Sequence, residues 1–366
     1  MSKSKENSFA LVVPGIKDWM EENGLLRFTL YNIDVSFANA IRRVMLCDIK
    51  VCYISDIEIS VNTGRLHNEL LKHRLGCIPV HIKDSTQMEN FCRDYVMEIE
   101  CENDSAELKY VTSEDFHIKK RNSHEYIESK SIFPPDEISH DFIDLSRLRS
   151  KISESIRGES LKLTAAFSIG TAKQDSMYNA TSDASYSNSL DKAQCDIKWA
   201  ELESNFKAQG LSPDEVLFEK RNFFLHDAFR LFLPNSFDFI VKGIVFSNKR
   251  IVELACIELI DKFVSLVSND KLSISVAQST IPFSYDIVIF DQDSTVGSIL
   301  GFLLYTHYYI PNTLSYCGFK KLHPHDDNSL IRVAFPQDDS IDNIRLFINK
   351  TSQYAIETIQ QILLLL

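Results

Sequence analysis

The sequence has no long hydrophobic run. Its longest apolar stretches, such as Ile362 to Leu366, fall far short of the roughly 18 residues that a bilayer-spanning helix needs. Near the start, the apolar run Phe9 to Val13 is shorter than a secretory core, and no small-residue cleavage site follows. The expectation is a protein on the cytoplasmic or nuclear side of the membrane. Basic charge is also scarce: 39 Lys and Arg stand against 51 Asp and Glu, a net charge of −12. A chain this acidic is poorly suited to wrapping nucleic acid by itself, because phosphate binding needs a surplus of Lys and Arg. Paired cysteines are missing too. Eight cysteines are scattered along 366 residues and none forms a C-x-x-C pair. Reduced, mostly buried thiols are expected rather than a zinc site.

What is present is regular patterning at the two ends. In LLRFTLYN, Leu26, Phe28 and Leu30 alternate with Arg27, Thr29 and Tyr31, the period of a half-buried strand. A helix should follow, with Ser36 as its N-cap and an apolar stripe of Phe37, Ala40, Ile41, Val44 and Met45. Arg42 and Arg43 lie off that stripe and should point outward. IKVCYISDIEIS reads as a strand, and the segment after it as a short helix ending at Gly76. From about residue 81 to 228 the pattern changes. Polar residues dominate, with short strand-like runs, and Lys173 to Gln194 reads as a surface loop. Ser212-Pro213-Asp214-Glu215 is a capping box that should start a helix.

Beyond Ser236 the regularity returns. Val252, Cys256, Leu259, Phe263 and Leu266 form a narrow helical seam. KLSISV and YDIVIF read as strands. A helix with the stripe Val296, Ile299, Leu300, Leu303, Leu304 and His307 follows, and the chain closes with a long helix carrying Ile344, Ile348, Thr351, Ala355, Ile359, Ile362 and Leu366. The two ends share one plan. At an offset of 259, Asp34 falls on Asp293, Ser36 on Thr295, Ala38 on Gly297, Ile41 on Leu300 and Val44 on Leu303. This implies an α+β protein whose two similar halves meet as an internal pseudo-dimer; the alternative is two independent domains that share a common α+β motif. The seam would be built from Phe37, Ile41, Val44, Met45, Val252, Leu259, Phe263, Val296, Leu300, Leu303, Ile348 and Ile359. Residues 20–80 and 229–270 would form the first half, 81–228 a mostly-β insertion and 271–366 the second half.

The residues also carry a family likeness. Asn39-Ala40-Ile41-Arg42-Arg43, Ile57-Glu58-Ile59, Asn62-Thr63, Leu66-His67, Glu69 and His73-Arg74-Leu75-Gly76 with Ile78-Pro79 resemble the third-largest subunit of RNA polymerase II. Its archaeal counterpart and the bacterial alpha N-terminal domain belong to the same family. Gly170-Thr171-Ala172-Lys173 with Tyr178 is similar to the loop closing that family's second domain. Lys271-Leu272, Ile287 to Phe290, Asp293 to Gly297, Gly318-Phe319-Lys320, His323-Pro324 and Leu330-Ile331-Arg332 resemble the eleventh subunit of the same enzyme and its archaeal counterpart. Ser294 and Ser298 stand where that family has histidine and asparagine, and Lys50 where the third subunit often has proline.

The resemblance implies a non-catalytic assembly subunit in which the two partners are fused, as in large cytoplasmic DNA viruses. It implies docking of the two largest polymerase subunits through Asn39, Arg42, Arg43, His73, Arg74 and Gly76, and contact with a small tenth- or twelfth-type subunit. DNA would be met only through the complex. No cofactor is implied, because only Cys92 and Cys101 occupy the region where many relatives carry a four-cysteine zinc loop. The setting implied is the cytoplasm of an infected cell or a virion, or the nucleus if the chain is cellular.

Other chemistry is weighed against this. VIFDQDSTV, Val288 to Val296, fits the start of a haloacid-dehalogenase-type phosphohydrolase, with Asp291 as nucleophile, Asp293 as general acid and Mg²⁺ between them. Only 71 residues follow Thr295, too few for the remaining βα units of such a core. His67, Glu69 and His73 suggest a metal cluster, but His67 and His73, six residues apart, fall on different faces of a helix, so a structural role is expected. His323 and His325 flank Pro324 in an expected loop.

Overall fold

The computed structural model describes residues 13–82, 84–121, 123, 125–153, 157–268 and 272–366; Lys271 lies outside them. The chain runs β1 (Gly15–Glu22), β2 (Leu25–Tyr31), α1 (Val35–Cys47), β3 (Val51–Asn62), α2 (Asn68–Gly76), α3 (Met88–Asp94), β4 (Tyr95–Glu102) and β5 (Lys109–Thr112). It continues through β6 (His117–Lys120), β7 (Tyr126–Ile127), α4 (Ser129–Ile132), β8 (Asp144–Leu148), β9 (Ser160–Gly170), β10 (Thr181–Leu190), α5 (Lys192–Ala208) and α6 (Pro213–Asn222). Then come β11 (Phe232–Gly243), α7 (Asn248–Ser268), β12 (Leu272–Val276), β13 (Ser284–Ile289), α8 (Ser294–Leu304), β14 (Tyr316–Lys320), β15 (Ser329–Ala334) and α9 (Ile341–Leu365).

Two compact units divide these elements. One holds the described residues within 1–44, 184–241 and 252–366, the other those within 45–183 and 242–251. The sequence expectation put the insertion at 81–228. The structure draws the line differently because of strand pairing. β3 pairs antiparallel with β9 from Val51↔Gly170 to Asn62↔Leu161, which carries residues 51–62 into the second unit. At the other end β10 takes its place beside β11 in a sheet of order β1-β2-β11-β10, which carries most of β10 into the first unit. The stretch read as a loop from Lys173 to Gln194 therefore contains a strand. Its polar composition suits the edge of a sheet, and its Ser189 is buried, bonded to Asp238 and Ser236.

In the first unit, Leu26, Phe28 and Leu30 are buried as the alternation predicts. Thr29 is buried as well, because its hydroxyl donates to Asp238 Oδ1 across the β2–β11 pair at 2.8 Å. Phe28 and Phe239, register partners, stack at 5.0 Å. A second sheet, order β12-β13-β15-β14, is antiparallel throughout. α8 and α9 pack on each other, and α9 also reaches β1 and β12. Between β10 and β11, α5 and α6 form a small outlying cluster around Cys195, Trp199, Val216 and Phe223. The capping box at Ser212 is present, with Ser212 Oγ accepting from Glu215 N and Glu215 Oε2 accepting from Ser212 N.

The second unit is a sheet of order β3-β9-β4-β6-β7 with a β5–β8 ribbon. Met97, Ile99, Ile118, Leu161, Leu163 and Phe167 fill its interior. The Gly170 to Tyr178 loop closes onto β3: Tyr178 stacks on Tyr53 at 3.8 Å, and Lys173 N donates to Cys47 O. A side chain at Gly170 would crowd both tyrosine rings at 2.9 Å, so the close approach needs glycine.

Candidate assembly interface

α1 buries Phe37, Ile41, Val44 and Met45, the stripe its spacing predicts. Its cap differs from the prediction. Asp34 Oδ2 accepts from Ser36 N at 2.8 Å, while Phe37 N and Ala38 N donate to Asp34 O. Ser36 Oγ is buried and bonds to nothing. Aspartate reaches the free N–H groups of a first turn without itself entering the helix, which leaves the serine inside that turn. α8 starts in the same way: Asp293 Oδ1 accepts from Thr295 N at 2.8 Å, and Gly297 N donates to Asp293 O. The positions matched at an offset of 259 thus share one capping geometry.

Within the first unit, Arg43 and Phe37 join α1 to the α8 region. Arg43 Nη2 donates to Asp293 Oδ2 at 2.6 Å and Arg43 Nε to Thr295 Oγ1 at 2.9 Å. Phe37 and Phe302 meet edge to face at 6.5 Å. Arg43, expected to point outward, is therefore turned onto its own chain, because an acidic cap lies within reach of its long side chain. Burial works against the charge on Asp293, but the Thr295 hydrogen bonds and the Arg43 guanidinium outweigh it and hold the carboxyl below its ordinary value. The remaining seam positions, Val252, Leu259, Phe263, Val296, Leu300, Leu303, Ile348 and Ile359, are all buried. α8 runs on into a π-helical turn, Tyr305–Tyr309, where His307 stacks on Tyr354 of α9 at 5.1 Å and Tyr308 packs on Phe347 at 4.2 Å.

The residues expected to dock larger partners belong to both units. Arg42 Nε and Nη2 both donate to Asn39 Oδ1, and the pair forms a half-buried polar patch on α1. In the second unit His73 and Arg74 are exposed in the last turn of α2, and Arg74 donates to Asp144 O. Gly76 departs from its expected role. It is buried, with Met177 Sδ 3.1 Å from where a Cβ would stand, so it offers no outward surface. Its place at the end of α2 explains the glycine by packing. His67, weighed as a metal ligand, caps α2 by accepting from Glu69 N.

The phosphohydrolase arrangement finds no support in this geometry. β13 pairs antiparallel with both β12 and β15, whereas that chemistry sits at the end of a parallel sheet. Asp293 is committed to its cap and to Arg43. Among the described residues, no group of three or more His, Cys, Asp or Glu side chains converges as a metal site. No helix among them is long and apolar enough to cross a membrane.

No protein-family model matches the chain. It is similar to subunit 3 of DNA-directed RNA polymerases II, IV and V from Arabidopsis thaliana, 30% identical over 182 residues, 47% of this chain and 56% of the relative. It is also similar to DNA-directed RNA polymerase subunit Rpo3 from Methanosphaera stadtmanae, 28% identical over 166 residues, 43% of this chain and 55% of the relative. A shorter match joins it to human subunit RPAC1 of DNA-directed RNA polymerases I and III, 39% identical over 62 residues, 17% of this chain and 18% of the relative. The chain spans about half the length of the first two of these relatives. Its homologues are thus alpha-type subunits of multisubunit RNA polymerases.

Proposed function

We propose that this chain is a non-catalytic assembly subunit of a multisubunit DNA-directed RNA polymerase, on which the two large catalytic subunits dock. The observation that carries this reading is the similarity to third-type polymerase subunits from a plant and an archaeon. In the finer reading, residues beyond 271 act as an eleventh-subunit-type partner joined to the same chain. The matched caps at Asp34 and Asp293 support it, as does the Arg43–Asp293 bridge. In a two-chain version that contact would cross an interface; here joining the halves gives it an effective concentration on the order of millimolar or more. A small tenth- or twelfth-type subunit completes the partner set, DNA is met only through the assembled enzyme, and the site of action is the infected cytoplasm or virion, or the nucleus for a cellular chain.

The test is affinity capture of the tagged chain from its native source. The expected result is two very large chains in near one-to-one ratio with it, and template-dependent nucleotide incorporation in the eluate. Recovery of the chain alone from a lysate that contains those large subunits overturns the reading.

A further inference from the structure

Cys52 on β3 and Cys92 on α3 lie 40 positions apart in sequence, yet their Sγ atoms stand 3.5 Å apart. Cys52 is 2% exposed at the face of the sheet, while Cys92 is half-buried on the helix that covers it. A disulfide needs about 2.05 Å between sulfurs, so closure asks for a movement of about 1.5 Å. α3 has seven residues and lies against β3, β4 and β9, so both thiols belong to one packed layer of the second unit. We propose that Cys52 and Cys92 form a hydroperoxide-reactive dithiol that closes to an intramolecular disulfide and fastens α3 to the sheet of the second unit.

The two thiols differ in the way such a pair requires. The hydrogen bond from the Cys52 thiol stabilises the Cys92 thiolate and lowers its pKa. That same contact, with burial, pushes the Cys52 thiol up. Burial pushes Cys256 up to about 12 and Cys101 up to about 11, and it raises Cys195 and Cys317 as well. Cys92 therefore attacks first, since the thiolate is the nucleophile. Its sulfur takes the terminal oxygen of the hydroperoxide, the O–O bond breaks, and the departing alkoxide leaves as an alcohol with the proton that Cys92 gave up. Cys92 is then a sulfenic acid. Cys52 displaces hydroxide from that sulfur; the S–S bond forms, the S–O bond breaks, and the hydroxide leaves as water with the Cys52 proton. Two electrons pass from the thiol pair to the peroxide.

The experiment treats the 366-residue chain with a small excess of hydrogen peroxide, blocks remaining thiols and maps peptides under non-reducing conditions. The expected product is one cross-linked peptide pair containing Cys52 and Cys92, lighter by two hydrogens and split by reductant. Exposed Cys47 and Cys77 serve as internal comparisons and should stay largely reduced at that dose. In Cys52→Ser the Cys92 sulfenic acid should persist and be trapped by dimedone; Cys92→Ser should leave the Cys52 thiol intact. Both thiols remaining free in the unmutated protein while Cys47 or Cys77 oxidises would overturn the proposal, as would Cys92 advancing to sulfinic acid without a cross-link. The unmutated protein alone decides the matter if either variant fails to fold.

Discussion

Asp34, not Ser36, holds the first turn of α1, and the difference is measurable. Asp34→Ala removes the acceptor for Ser36 N and should cost about 1 kcal/mol. Ser36→Ala removes a buried hydroxyl that bonds to nothing and should be neutral or slightly stabilising in urea titration. The opposite order would restore Ser36 as the cap. Arg43 and Asp293 form a partly exposed pair, with 38% and 32% of their side chains accessible. A double-mutant cycle with Arg43→Ala and Asp293→Ala should therefore give a coupling of only about 0.5–1 kcal/mol. Asp293→Ala alone should cost more, about 1–2 kcal/mol, because the cap goes as well. The pH dependence follows from the lowered carboxyl. Its contribution is fully present above the ordinary value of 3.8 and is lost as pH falls through the still lower folded value. Asp293→Asn should therefore lose less stability than the unmutated protein as pH falls below 3.8, read by acid denaturation followed by circular dichroism. None of this pairing was readable from the local pattern. Apolar spacing shows that Arg43 is off the buried stripe, but not that an aspartate 250 positions away waits beside it.

Among the elements, the strongly periodic ones were the most legible. The α9 positions Ile344, Ile348, Thr351, Ala355, Ile359 and Ile362 are all buried, and α7 buries its whole predicted seam, because a one-sided stripe at helical period has only one way to leave water. Leu366 misses, being partly exposed past the last helical turn. β10 was missed because serines and threonines can serve a sheet edge as well as a loop, and its neighbour β11 lies about fifty residues further along. The place where α8 meets β14 was legible only as a match between Ala38 and Gly297. In the structure a Cβ on Gly297 would overlap the Phe319 ring. Gly297→Ala should therefore destabilise the protein by about 1–3 kcal/mol, even though alanine gains about 1 kcal/mol in helix propensity. An unchanged or raised thermal midpoint would show that the ring yields freely. A Gly297→Ala, Phe319→Ala double variant should recover the overlap part of the loss.

For the whole molecule, the docking reading predicts that charge reversal at the expected docking arginines disrupts assembly while the chain stays folded. Arg42→Glu and Arg74→Glu suit this test better than a change at Arg43, whose loss would also break the bridge to Asp293. Each should keep an unchanged circular dichroism spectrum and recover several-fold less large subunit in affinity capture; undiminished capture by both would remove these faces from the docking surface. The order of the chain has a further consequence. The first unit takes residues from both ends of the sequence, pairs β2 with β11 across roughly two hundred positions, and lays α9 against β1. The second unit is almost one continuous stretch, 45–183. During synthesis, most of the second unit leaves the ribosome while the first still lacks its last strands and helices. The β1–β2 hairpin must therefore wait, with one apolar face uncovered, until β11 and α9 have been made. That interval makes β1 and β2 the part of the nascent chain that most needs a chaperone.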